Sequence, residues 1–169
     1  MTTRDDHGRD DSSVRIEVNH RFAVAVRPGF DYITDPANWR EYWPGFVSVD
    51  PRARWREPGD RATLTLRMLG RDVELKMTLD RIDPYRVVEY TSEQRGLPPA
   101  RHQRHFADAD GDLSYRIVVE YEPRGGWRGI YDRVLVRRAI ARAVHETVAN
   151  LERRFAERVP AGGASATAG

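Results

Sequence analysis

Hydrophobic and polar positions alternate from Val14 onward. Val14, Ile16, Val18, His20 and Phe22 share one face, and Arg15, Glu17, Asn19 and Arg21 share the other. A period of two marks a half-buried strand, here expected to run to about Val26, where Pro28-Gly29 stops it. Pro28 is placed to open a short helix. Asp35-Pro36 reads as an N-cap followed by a first-turn proline, so a second short helix carrying Trp39, Tyr42 and Trp43 should follow. Alternation then returns. Ala62, Leu64, Leu66 and Met68 form one apolar face, Val73, Leu75, Met77 and Leu79 another, and Leu113, Tyr115, Ile117, Val119 and Tyr121 a third. Turn sequences separate these runs: Glu57-Pro58-Gly59-Asp60, Gly70-Arg71, Asp83-Pro84-Tyr85, Gly96-Leu97-Pro98-Pro99 and the acidic stretch from Asp108 to Asp112. Turns this close together, with no long helix between them, imply an antiparallel sheet.

The period changes near the C-terminus. Ile130, Val134, Ala141, Val144, Val148, Leu151 and Phe155 recur at three- and four-residue steps, which predicts one helix over about residues 127–157. A helix with a single apolar stripe needs a surface to lie across, so the sheet must curve to receive it. The expected fold class is α+β, with two short helices after the first strand and a seven-stranded curved antiparallel sheet around the long C-terminal helix.

With 169 residues, 40 % hydrophobic and 32 % charged, the chain has material for one core. Residues 1–13 and 159–169 lack apolar periodicity and read as a disordered arm and tail flanking a domain at 14–158. No segment approaches the roughly 20 apolar residues of a membrane span, and the charged N-terminal string is unlike a signal peptide, so a cytoplasmic location is expected. Zero cysteines exclude disulfides and thiolate chemistry. Lys+Arg 28 against Asp+Glu 26 leaves a net charge of +2. Lys76 is the only lysine, so the arginine content reads as genomic composition rather than as a nucleic-acid signal. The main asymmetry is segment 127–158, with eight arginines against four acids.

Phe22-Ala-Val-Ala-Val26, followed by Pro28 and an aromatic helix, leads into Thr34-Asp35-Pro36-Ala37-Asn38-Trp39-Arg40-Glu41-Tyr42-Trp43-Pro44-Gly45. With Glu57-Pro58-Gly59-Asp60 and the stretch from Phe106 through Asp110-Gly111-Asp112 to Tyr121-Glu122, this resembles the helix-grip fold of the START-like (SRPBCC) superfamily, and more narrowly its polyketide cyclase/dehydrase branch. The resemblance covers about residues 14–158. It implies the first strand beside the last, and an apolar cavity between sheet and long helix for a small hydrophobic, polyketide-like or lipid-like ligand. It extends to aromatases/cyclases, to carriers, and to antibiotic self-resistance proteins that sequester their ligand.

The residues themselves carry no nucleophile elbow, phosphate loop or zinc-protease motif. The Asp108–Asp112 stretch lacks the downstream Glu of a calcium loop. His102 and His105 fall on opposite faces of a strand and cannot share an ion. No metal and no cofactor is therefore expected. Alternation with Phe106 inward places His102 and Arg104 on the concave face, beside Tyr90, Ser92, Gln94 and Tyr115. His102 and Arg104 are the catalytic candidates, able to polarise a carbonyl or move a proton. Arg137 falls inside the helical apolar stripe and joins Arg104 as a candidate clamp for a ligand oxygen. Trp39, Trp43, Leu66, Met68, Leu75 and Met77 complete the expected lining. A monomer or homodimer is expected, with the arginine-rich helix as an alternative contact surface for a protein or membrane.

Overall fold

The computed structural model describes residues 13–68 and 70–158, together with the backbone but not the side chains of Met68, Trp127 and Arg128. The expected arm, Ser13 apart, and the expected tail lie outside these residues. Strand β1 (Val14–Phe22) is followed by helix α1 (Val26–Thr34), a 3₁₀ turn (Pro36–Asn38) and helix α2 (Trp39–Tyr42). Six strands follow: β2 (Phe46–Val49), β3 (Arg61–Met68), β4 (Arg71–Asp83), β5 (Val87–Gln94), β6 (Ala100–Ala109) and β7 (Asp112–Tyr121). The chain closes with α3 (Trp127–Tyr131), a π-helical turn (Asp132–Val136) and α4 (Arg137–Arg158).

All seven strands form one antiparallel sheet in the order β1-β7-β6-β5-β4-β3-β2, so the first strand lies beside the last. The expected alternation sets the faces. Phe22 pairs with Leu113, Tyr90 with His102 and Phe106 with Tyr115, and these side chains turn toward the helices. Val118, on the opposite face, is only 1 % exposed because Glu17 and Gln103 flank it in register beneath the Arg15–Glu120 ion pair.

Two boundaries differ from expectation. β1 stops at Phe22, where the amide of Val24 folds back onto the Phe22 carbonyl at 2.8 Å, and α1 begins at Val26 with Pro28 in its first turn. Asp35 caps as expected, its carboxylate accepting from the Ala37 amide at 2.9 Å. Gly45 then returns the chain to the sheet. It adopts φ 65°, and a Cβ there would sit 2.5 Å from the Arg67 carbonyl oxygen.

The second difference is in the long helix. Val144, Val148, Leu151 and Phe155 are buried as the stripe predicts, with Phe155 edge-on to Phe22 and Tyr32 at 5.1 and 5.4 Å. Upstream, the buried positions are Gly129, Asp132 and Val136, while Ile130 and Val134 are 70 and 44 % exposed. The π-helical turn is the reason. Its wider winding breaks the 3.6-residue phase, so a stripe extrapolated backward from Val144 emerges on the wrong face. None of the helices in the described residues is long and apolar enough to cross a membrane.

Candidate functional site

Arg104 lies at the middle of β6, opposite Val88 on β5 and Ile117 on β7. Its side chain projects into the space between the sheet and the helices and is 7 % exposed. Among the described residues no carboxylate pairs with it. Its guanidinium donates instead to the Tyr90 hydroxyl at 3.0 Å and, weakly, to the Tyr42 hydroxyl at 3.5 Å. It also stands 5.4 Å from the ring centroids of both Trp43 and Tyr90, within cation–π range. Its Nε has no hydrogen-bond partner; the buried Tyr115 hydroxyl stands near the guanidinium and the Trp43 indole N–H near the Tyr42 hydroxyl, neither in good hydrogen-bond geometry. A buried cation normally keeps an acid beside it, because desolvation is expensive. Here aromatic faces and phenol dipoles take that place, and the Arg104 Nε–H is left over.

The local sequence explains the cage. Asp35-Pro36 starts the turn that presents Trp39 and Tyr42, whose indole N–H and hydroxyl both donate to the Ile33 carbonyl, at 3.2 and 2.6 Å. Asn150 on α4 fixes this segment by donating to the Tyr42 carbonyl at 3.0 Å. Trp55 closes the side, edge-on to Trp39 and to Tyr90 with centroids 5.4 Å away in each case. Burial raises the pKa of the Tyr42 and Tyr115 phenols, and both remain neutral.

Next to this cage, Ser92 Oγ and His102 Nε2 lie 2.7 Å apart. Burial, helped by the Arg104 charge, pushes the His102 imidazole down to about 3. The ring is therefore neutral at ordinary pH. His105 points to the other face, toward Gln103, as strand alternation requires.

The structure thus brings together Tyr90, His102, Arg104 and Tyr115, with Trp43 over the guanidinium. Trp39, Leu66 and Met77 are buried on the same concave side, and Leu75 is half-buried there. The Met68 side chain lies outside the described residues. Arg137 is a correction: although it lies in regular α-helical phase with Val144, it is exposed at the first residue of α4, where the buried position is its neighbour Val136. Tyr42 and Trp55 belong to the cage and were not foreseen. Their aromatic character was visible, but Tyr42 meets Arg104 across 62 positions of sequence, which no local pattern reports. An open groove of about 670 Å³ lies at the far end of the sheet, where Val73 and Leu97 reach its surface among Asp72, Glu74, Lys76, Glu93 and Arg95. Among the described residues no three His, Asp or Glu side chains are grouped to hold a metal.

A curved antiparallel sheet closed on a long C-terminal helix, with two short helices after the first strand, is the helix-grip fold. Residues 13–156 match the family model described as polyketide cyclase / dehydrase and lipid transport, and the chain belongs to that family. Among solved structures it is similar to the Zhui aromatase/cyclase from Streptomyces sp. R1128, with a TM-score of 0.75 and 13 % identity over 89 % of this chain and 98 % of that one. It is also similar to the protein TTHA0849 from Thermus thermophilus, with a TM-score of 0.71 and 15 % identity over 85 and 98 % of the two chains. For Ara h 8.0201 the TM-score is 0.69 and the identity 14 %, over 86 and 99 %. No curated protein sequence matches it. At these identities the likeness is one of fold.

Proposed function

We propose that this protein binds a small hydrophobic ligand, of polyketide-like or lipid-like character, whose polar end is an ionised or carbonyl oxygen read by Arg104. The observation that carries this reading is the buried guanidinium without an acid partner, its Nε unpartnered and the Tyr115 hydroxyl and Trp43 N–H beside it not held in good hydrogen-bond geometry. A ligand oxygen would supply the missing acceptor, and hydrogen bonds from a charged donor are the stronger kind. The surrounding aromatic and aliphatic side chains would provide the affinity. Covering about 300 Å² of apolar ligand surface contributes roughly 7 kcal/mol before ordering costs. Membership of a family with cyclase and dehydrase members makes cyclisation or dehydration the enzymatic form of this reading. The depressed basicity of His102 favours the other form, in which the protein carries or sequesters its ligand, because a general base works best with a pKa near the operating pH.

The test compares 2-naphthoate with its methyl ester, using tryptophan fluorescence and calorimetry. The wild type should prefer the carboxylate by about tenfold or more. Arg104→Met should lose that preference and keep its affinity for the ester. An unchanged preference in Arg104→Met would remove the arginine from ligand recognition.

A further inference from the structure

The face of the long helix that the core does not use is apolar where it begins. Gly129, Asp132 and Val136 are buried, whereas Ile130, Tyr131, Val134 and Leu135 are 70, 45, 44 and 51 % exposed. This is not a frayed end. The Asp132 carboxylate is fully buried and held by the Arg124 guanidinium at 2.7 and 2.9 Å and by the Arg124 amide at 2.9 Å. The Tyr121 hydroxyl donates to the Asp132 carbonyl at 2.6 Å, and Arg124 also donates to the Gly96 carbonyl at 2.9 Å. Gly129 seats α3 so closely that a Cβ there would lie 2.3 Å from the Arg124 carbonyl oxygen. The inner side is fastened, and the apolar ridge faces outward.

The charges beside the ridge are also unusual. Toward the C-terminus of α4 the arginines are engaged: Arg142 with Glu146, Arg154 with Glu157 and Glu41, and Arg158 with Glu41. Beside the ridge, Arg133, Arg137 and Arg138 are exposed, and among the described residues no acid pairs with them. The one acid in this stretch, Asp132, is buried.

We infer that this ridge is a docking surface for an anionic lipid layer. The aliphatic and tyrosine side chains would enter the headgroup boundary, and the three arginines would meet the lipid phosphates and acidic headgroups. Shape favours a lipid layer over an acidic protein. The apolar side chains stand on the outer side of a single helical rod, opposite Asp132 and Val136, and a fluid layer closes around a convex rod without a matching groove. The inference stands independently of the identity of any ligand held by Arg104.

Co-sedimentation of the full chain with phosphatidylcholine vesicles, with and without about 30 % phosphatidylglycerol, tests it. Each arginine near an anionic surface is worth about fivefold in binding at moderate salt, so the wild type should bind the anionic vesicles at least tenfold better, and high salt should reduce the difference. Arg133→Gln/Arg137→Gln/Arg138→Gln should lose the preference. Ile130→Ser/Leu135→Ser should lose binding to both vesicles, with the circular-dichroism spectrum and thermal midpoint kept because both sites are exposed. Equal binding to the two vesicle types, or variants that bind like the wild type, would overturn the inference. So would a wild type that ignores vesicles but is retained by polyglutamate, or that dimerises through Ile130 and Leu135 in sedimentation velocity.

Discussion

The rings of Tyr90 and His102 lie face to face on adjacent strands, with centroids 4.5 Å apart and planes within 2° of parallel. Strand register makes them direct partners, and Tyr90 also accepts from Arg104 on its hydroxyl. A protonated imidazole would put a second cation beside the buried guanidinium, at a half-buried position, so the neutral ring is favoured here.

That preference gives a pH dependence with a definite sign. The folded chain holds His102 near 3, against an ordinary value of 6.5. Above 6.5 neither state protonates the ring and stability is full. As pH falls below 6.5 the unfolded chain takes up a proton that the folded chain refuses, and stability declines until about pH 3. Between about pH 7 and pH 5 the wild type should lose roughly 2 kcal/mol through this ring. Urea unfolding at the two pH values should show a smaller loss in His102→Gln, and equal losses would show that the ring is not held neutral.

Arg104→Met should separate ligand recognition from stability. Replacing a buried unpaired charge by an apolar side chain of similar length should leave stability unchanged or raise it by about 1–3 kcal/mol. Loss of more than about 2 kcal/mol in chemical denaturation would instead make Arg104 a structural strut between Tyr42 and Tyr90.

Asp132→Ala should lower stability, because it removes the carboxylate that holds the Arg124 side chain and amide at the point where the π-helical turn meets β7. Hydrogen exchange should show the loss as local opening, fastest over about residues 124–136 and weakest in the sheet. Uniform loss of protection across the chain would show that this anchor is part of the global core.

Val148→Asp places a carboxylate on the helix where Val148 is 6 % exposed and belongs to the apolar core. A loss of about 4 kcal/mol or more is expected in thermal or urea unfolding. A loss below about 1 kcal/mol would mean that α4 does not press this face into the sheet.

Alternation by itself determined the strands, their faces and therefore the inward register of Tyr90, His102, Arg104 and Tyr115, because a period of two leaves each side chain only one of two directions. Turn residues and the Asp35-Pro36 cap fixed the order of elements, since both act within a few residues of themselves. What the tertiary structure decided is non-local. Tyr42 and Trp55 join Arg104 only because two short helices fold back over a sheet whose strands lie far along the chain, so that a cation in an alternating strand becomes a cation in an aromatic cage. Arg137 was misplaced for a related reason. Its position in the stripe follows from the helical period, but that period says nothing of how far along the helix the covering sheet reaches, and Arg137 at the first residue of α4 is exposed. The π-helical turn before it, which buries Asp132 against Arg124 and Tyr121, re-phases Ile130 and Val134 outward.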